Sequence, residues 1–181
     1  MKKYLYIVIA LGLIVGISKS IYDEVNKKSA KSTRLECHKY ATVFERVLKK
    51  DLINKFQEEF LKGKVSLSID IEKAKYMESK LFEHIDIKKL KAHFEREIGI
   101  VKSKENYPIS LDIIVYENDK NDPGKKTKKS KLYAGYLVLS AKVDNTLVYK
   151  LQIDFLDEEG KDIARVSSCA IESIKTLQGD K

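Results

Sequence analysis

Cys37 and Cys169 are the only cysteines in the chain, and two thiols can serve as a disulfide, as small buried side chains or as a reactive site. A bond between them would close a loop of roughly 130 residues, which in the chain-entropy account stabilises a fold by about 4–5 kcal/mol. His38 stands next to Cys37, the pairing of a nucleophile with a base. Neighbours on a helix point about 100° apart, however, so this imidazole cannot take the thiol's proton directly. His84 and His93, nine positions apart, would face opposite sides of one continuous helix. They offer no shared metal site.

Five lysines, Lys125, Lys126, Lys128, Lys129 and Lys131, crowd into seven residues. Such a run is either a solvated loop tip that discourages aggregation or a contact for anionic lipid, acidic polysaccharide or an acidic protein. Tyr133, Tyr136 and Tyr149 follow it, and their amphipathic rings suit the wall of a groove or the rim of a core. Paired acids such as Glu58 and Glu59, Glu95 and Glu97, or Asp157 and Glu158 fall on polar helix faces and turns, where solvated carboxylates are expected. The chain holds no HExxH, CxxC, GxSxG, GxGxxG or GxxxxGK[ST] pattern. We therefore expect no catalytic residue, cofactor or metal.

The formal charge of +8 has a particular composition, because the basic residues comprise 31 lysines and only four arginines. Lysine is a hydrated point charge without the planar fork that reads phosphates and base edges, and no nucleic-acid partner is expected. Lys2 and Lys3 precede 14 consecutive apolar residues, Tyr4 to Ile17, followed by Ser18, Lys19 and Ser20. This is the layout of an export signal. Fourteen helical residues span about 21 Å, short of the roughly 30 Å hydrocarbon core, which favours cleavage over a stable span. An uncleaved inner-membrane anchor is the alternative. Either outcome puts the remainder outside the cytoplasm, periplasmic, secreted or anchored by residues 4–17.

The elements that must position these residues follow from periodicity. Residues 21–34 read as a polar tether, 35–175 as one domain and 176–181 as a polar tail. Cys37, Tyr40, Phe44, Val47, Leu48, Leu52, Phe56 and Phe60 recur at helical steps and predict one long amphipathic helix, or two in line, ending before Gly63. Alternation over Val65–Ile71 predicts a strand, and residues 73–99 return to helical spacing, with a break at Asp86 and a stop at Gly99. Four strands are then expected at Ile109–Tyr116, Leu132–Val143, Leu147–Leu156 and Lys161–Glu172. Turns at Asn121–Gly124, Asp144–Thr146 and Asp157–Gly160 make them an antiparallel meander.

The expected fold is α+β: N-terminal helices on a curved antiparallel sheet of four to five strands, after an export segment. In element order this resembles the cystatin-like and nuclear-transport-factor-like cones. Val143-Asp144-Asn145 with Leu151–Lys161 is also similar to the hairpin of extracytoplasmic FxLYD-type β-domains, over fewer than 30 residues. Neither likeness assigns a role to a residue. The functional expectation is an exported, non-enzymatic binding or assembly module for an envelope protein or anionic envelope component. Two alternatives stand beside it: a carrier holding a small apolar ligand between helices and sheet, and a secreted hydrolase.

Overall fold

The computed structural model describes residues 30–101, 107–125, 127 and 132–179. Its order is β1 (Ala30–Ser32), β2 (Val43–Val47), α1 (Ile53–Leu61), β3 (Ser66–Glu72), α2 (Leu81–His84), α3 (Ile87–Ile98), β4 (Ile109–Glu117), β5 (Gly135–Val143), β6 (Thr146–Phe155) and α4 (Ile163–Lys175). Short 3₁₀ turns at Glu36–Lys39 and Lys50–Leu52 flank β2. The fold is α+β, as expected. Its sheet has six strands in the order β1-β2-β6-β5-β4-β3, and it is mixed rather than wholly antiparallel.

The mixed character comes from β3, which pairs parallel to β4 from Ser66↔Ser110 to Glu72↔Tyr116. Parallel neighbours need a long crossover, and α2 and α3 supply it. Asp86 starts α3 by accepting the N–H groups of Lys88 and Lys89 at 2.9 and 3.1 Å. Gly99, in the left-handed region at φ 77°, ends it, with Ile100 N–H returning to Glu95 O at 2.9 Å. Gly63 ends α1 similarly at φ 72°, and a Cβ there would lie 2.1 Å from Gly99 O. The predicted break and both predicted stops therefore stand where the sequence put them.

Several expectations are corrected. Residues 35–61 are not one helix, because Val43–Val47 adds to the sheet beside β6, from Val43↔Ile153 to Val47↔Tyr149. β-Branched Val43 and Val47 with Phe44 suit a pleated surface, and pairing with β6 supplies the hydrogen bonds that a lone helical pattern could not outweigh. Residues 73–80 are loop rather than helix. The Lys161–Glu172 strand is instead α4, whose Ile163, Val166, Ala170, Ile171 and Ile174 form one buried helical stripe. Helices thus stand between the strands and after them, and among the described residues no α-helix precedes β1 and β2 where the N-terminal helices were expected. Ala30–Ser32, in the segment read as a tether, pairs with β2 as an edge strand. The export segment lies outside the described residues.

The hairpin joining β5 and β6 turns in two residues, Asp144 at φ 47° and Asn145 at φ 64°, between the paired Val143 and Thr146. Both lie in the left-handed region that such a turn requires and that Asp and Asn tolerate. Alternation then fixes the layers. Odd-numbered residues of β4, β5 and, from Tyr149 onward, β6 face the helices, and Ile113, Leu139 and Leu151 among them are fully buried beneath α1, α3 and α4. Phe56, Phe60, Phe94 and Phe155 fill the space between helices and sheet. Even-numbered residues face the other way, and no described helix packs on that second face.

Candidate functional site

Two groups of polar residues stand on opposite sides of the sheet. On the helix side, Cys37 and Cys169 are joined by a disulfide, with sulfurs 2.03 Å apart, tying the first 3₁₀ turn to α4. Both thiols are consumed, so Cys37 offers no nucleophile in this state. Of the three options the sequence left open the bond is the one observed, although Cys37 sits in a 3₁₀ turn and Cys169 on a helix, not on the helix and strand expected for them.

Beside the bond lies His38, buried, with Nδ1 3.0 Å from Ser32 Oγ and Nε2 2.8 Å from Ser173 Oγ. Ser173 Oγ in turn donates to Cys169 O at 2.9 Å. Ser173 is itself fully buried, which closes it to any substrate. Burial holds the His38 imidazole below its usual range, with Arg34 adding to the effect and Glu45 opposing it.

Glu45 of β2 is the hub of the same region. It receives two hydrogen bonds from Arg34, at 3.2 and 3.0 Å, one from Tyr149 OH at 2.5 Å and one from Ser32 Oγ. Burial pushes its carboxyl up, but the donors of Arg34, Ser32 and Tyr149 outweigh burial and hold it below the carboxylate range. Burial and the Glu45 carboxylate together drive the Tyr149 hydroxyl far upward. Arg34 also donates to Ser173 O at 2.7 Å and Thr176 O at 3.1 Å, pinning the end of α4. A cleft of about 610 Å³ opens beside Arg34, Glu45, Tyr149 and Thr176. Each of those polar side chains already has a partner, so the cleft presents a satisfied wall.

The second face differs. Register aligns Lys31, Phe44, Gln152, Val138 and Ile114 in one row across it, and Asp154, Tyr136 and Tyr116 in the next. Tyr116 and Tyr136 stack at 4.9 Å between ring centres. A cleft of about 550 Å³ opens here, and one of about 260 Å³ at its edge, lined also by His38 and Asp162 from the helix side, shares Lys31, Thr42, Tyr133 and Asp154 with it. Thr42 Oγ1 and Tyr133 OH lie 3.0 Å apart.

Asp154 is only 7% exposed, and its carboxylate receives one side-chain hydrogen bond, from Gln152 Nε2 at 2.9 Å. Burial pushes this carboxyl above its usual range, and the Gln152 amide opposes only in part. Among the described residues no cation lies within ion-pair distance of Asp154, and no carboxylate within that distance of Lys31.

Of the tyrosines read as groove walls, Tyr133 and Tyr136 line the larger cleft. Tyr149 does not, because its odd position turns it to the helix side. Of the lysine run, Lys125 is placed: its ammonium caps Asn118 Oδ1 and Asp119 O on the rim of the same cleft. Lys126, Lys128, Lys129 and Lys131 lie outside the described residues. Glu117, the last residue of β4, and Asp119 just beyond it serve the fold. Glu117 accepts N–H groups from Ala74, Lys80 and Leu81 at 3.1, 2.9 and 3.0 Å, and Asp119 accepts those of Lys75 and Tyr76, both at 2.6 Å. They hold the loop that the sequence had suggested was helix.

Asp154 and Lys31 were not singled out from the sequence. One signal was present: Lys150, Gln152 and Asp154 share a parity along β6, which marks a second, polar face to that strand. That Asp154 would be buried on it depended on Thr42 and Tyr133 arriving from elsewhere in the chain.

Cys37, His38 and Cys169 place their ligand-type atoms within 4.8 Å of one another, but with both sulfurs in a disulfide they hold no thiolate for a metal. A disulfide fits an extracytoplasmic location, and no helix among the described residues is long and apolar enough to cross a membrane. No protein-family model, curated protein or solved structure matches this chain.

Proposed function

We propose that this protein is an exported, non-enzymatic binding module that works through the helix-free face of its sheet. The export reading rests on Lys2, Lys3 and the apolar run Tyr4–Ile17, and the disulfide agrees with an oxidising compartment. The chain reaches the periplasm or the exterior, or stays on the inner membrane through residues 4–17.

The observation that carries the choice of face is the pair of clefts sharing Lys31, Thr42, Tyr133 and Asp154. At about 550 Å³ the larger falls in the range of ligand-sized sites, and it combines the aromatic Phe44, Tyr133 and Tyr136 with a mostly polar and charged lining. On the other face the helices already cover the sheet, and the polar groups there satisfy one another. Lys125 stands on the cleft's rim, and the lysine-rich run that continues from it in sequence supports an attraction for anionic envelope components.

Tyrosine-directed covalent labelling in intact cells tests the reading. Tyr133 and Tyr136 should be protected relative to the purified protein, while Tyr107, which lines neither cleft and precedes β4 at the end away from Tyr116, labels equally in both. Equal labelling of Tyr133 and Tyr136 in cells and in solution would overturn it. The mass of the mature chain, with and without thiol alkylation, checks export and the bond together.

A further inference from the structure

Asp154 and Lys31 line the same two clefts, yet neither is neutralised by a neighbour. A carboxylate taken out of water costs free energy unless a cation or several donors replace the lost hydration. Asp154 has one amide donor and no cation, and it is 7% exposed. Lys31 is exposed on the edge strand, one row away in the register, with no carboxylate within 4.0 Å among the described residues. One wall therefore lacks a positive charge and another lacks a negative one, and the two are too far apart to pair directly. A molecule carrying both charges would satisfy both.

Resting on the proposed binding face, we infer that this groove takes a small zwitterion, its ammonium on Asp154 and its anionic end at Lys31. The other polar groups suit a primary ammonium, which has three N–H donors. The hydroxyls of Thr42 and Tyr133 and the side-chain oxygen of Gln152 are acceptors in the same cleft, and the Tyr133 and Tyr136 rings add attraction for a cation. An anion alone would leave Asp154 uncompensated, and a cation alone would forgo the attraction that exposed Lys31 offers an anionic end.

The test uses amide and carboxyl NMR of the oxidised protein titrated with glycine, β-alanine and 4-aminobutyrate, which separate ammonium from carboxylate by increasing lengths. At least one should move the Gln152 and Asp154 resonances saturably, including the Asp154 carboxyl carbon. Glycinamide and N-acetylglycine, each keeping one charge, should bind at least tenfold more weakly, a loss of about 1.4 kcal/mol. Asp154→Asn and Lys31→Ala should each weaken the zwitterion by a similar factor.

Any of three results overturns the inference: no response of the unmodified protein at tens of millimolar, equal affinity for a single-charge analogue, or a shifted Asp154 titration in ligand-free Lys31→Ala. The last would show that the two charges already satisfy each other. Protection of Tyr133 and Tyr136 in cells without zwitterion binding would remove this inference alone and leave the binding face intact.

Discussion

The two faces of the sheet treat buried charge in opposite ways. Beneath the helices, Glu45 is surrounded by donors from Arg34, Ser32 and Tyr149, and His38 bridges two serines. On the open face, Asp154 is similarly withdrawn from water but has one amide for company. A satisfied buried network contributes stability and leaves little for a ligand to gain, whereas an unsatisfied one costs stability and leaves that gain available. The difference separates a structural carboxylate from a candidate binding carboxylate without reference to any relative.

The largest break in this contrast comes from the helix side. Replacing Cys37 and Cys169 together by serine, or reducing the bond, should lower unfolding free energy by about 5 kcal/mol, since 132 positions separate the two. Denaturant unfolding with and without reductant measures it. Next, Glu45→Ala strands three donors and should cost about 2–3 kcal/mol, with Glu45→Gln recovering part of it. A neutral result for Glu45→Ala would erase the distinction between the two faces.

Asp154→Asn should go the other way and raise stability at pH 7 by about 1 kcal/mol, because the amide keeps the shape and removes an unpaired charge. The sign with pH follows from the raised carboxyl. In acid the folded state holds the Asp154 proton more tightly than the unfolded chain, so its contribution is favourable there and is lost as pH rises through the raised value. The advantage of Asp154→Asn should therefore grow from acid toward neutral pH and then level off.

His38 acts in the opposite sense. Its lowered imidazole makes the unfolded chain the better proton binder, so stability falls as pH drops through the ordinary histidine range, about 6.5. Lys31→Ala should change stability by less than about 0.5 kcal/mol, as expected for an exposed, unpaired side chain. Its effect belongs to the binding titration.

Much of the frame was legible in the sequence because it depends on local chemistry. Asp86 as a break, Gly63 and Gly99 as stops, the turn at Asp144-Asn145 and the strand from Ile109 to Tyr116 need only near neighbours. What escaped depends on distant ones. Val43–Val47 carries apolar residues at spacings that suit either a helix or a strand, and only the unpaired edge of β6 decides for the strand. Ile163–Ile174 fits both periods because apolar residues fall on both parities, and packing against β6 and α3 decides for the helix. The parallel pairing of β3 is a property of the crossover, not of β3. The cysteine pair was legible as a candidate, while the Asp154 cleft was not, since its walls come from residues about 20 to 120 positions away.

The bond between residues 37 and 169 also has a mechanical meaning. Load applied to the chain start peels β1 and then meets a covalent shunt that delivers it straight to α4. The segment in between, which would otherwise pay out roughly 450 Å when drawn taut, cannot lengthen the molecule at all. Whatever pulls on this protein from its leading end, the six-stranded sheet's central four members stay out of the line of tension.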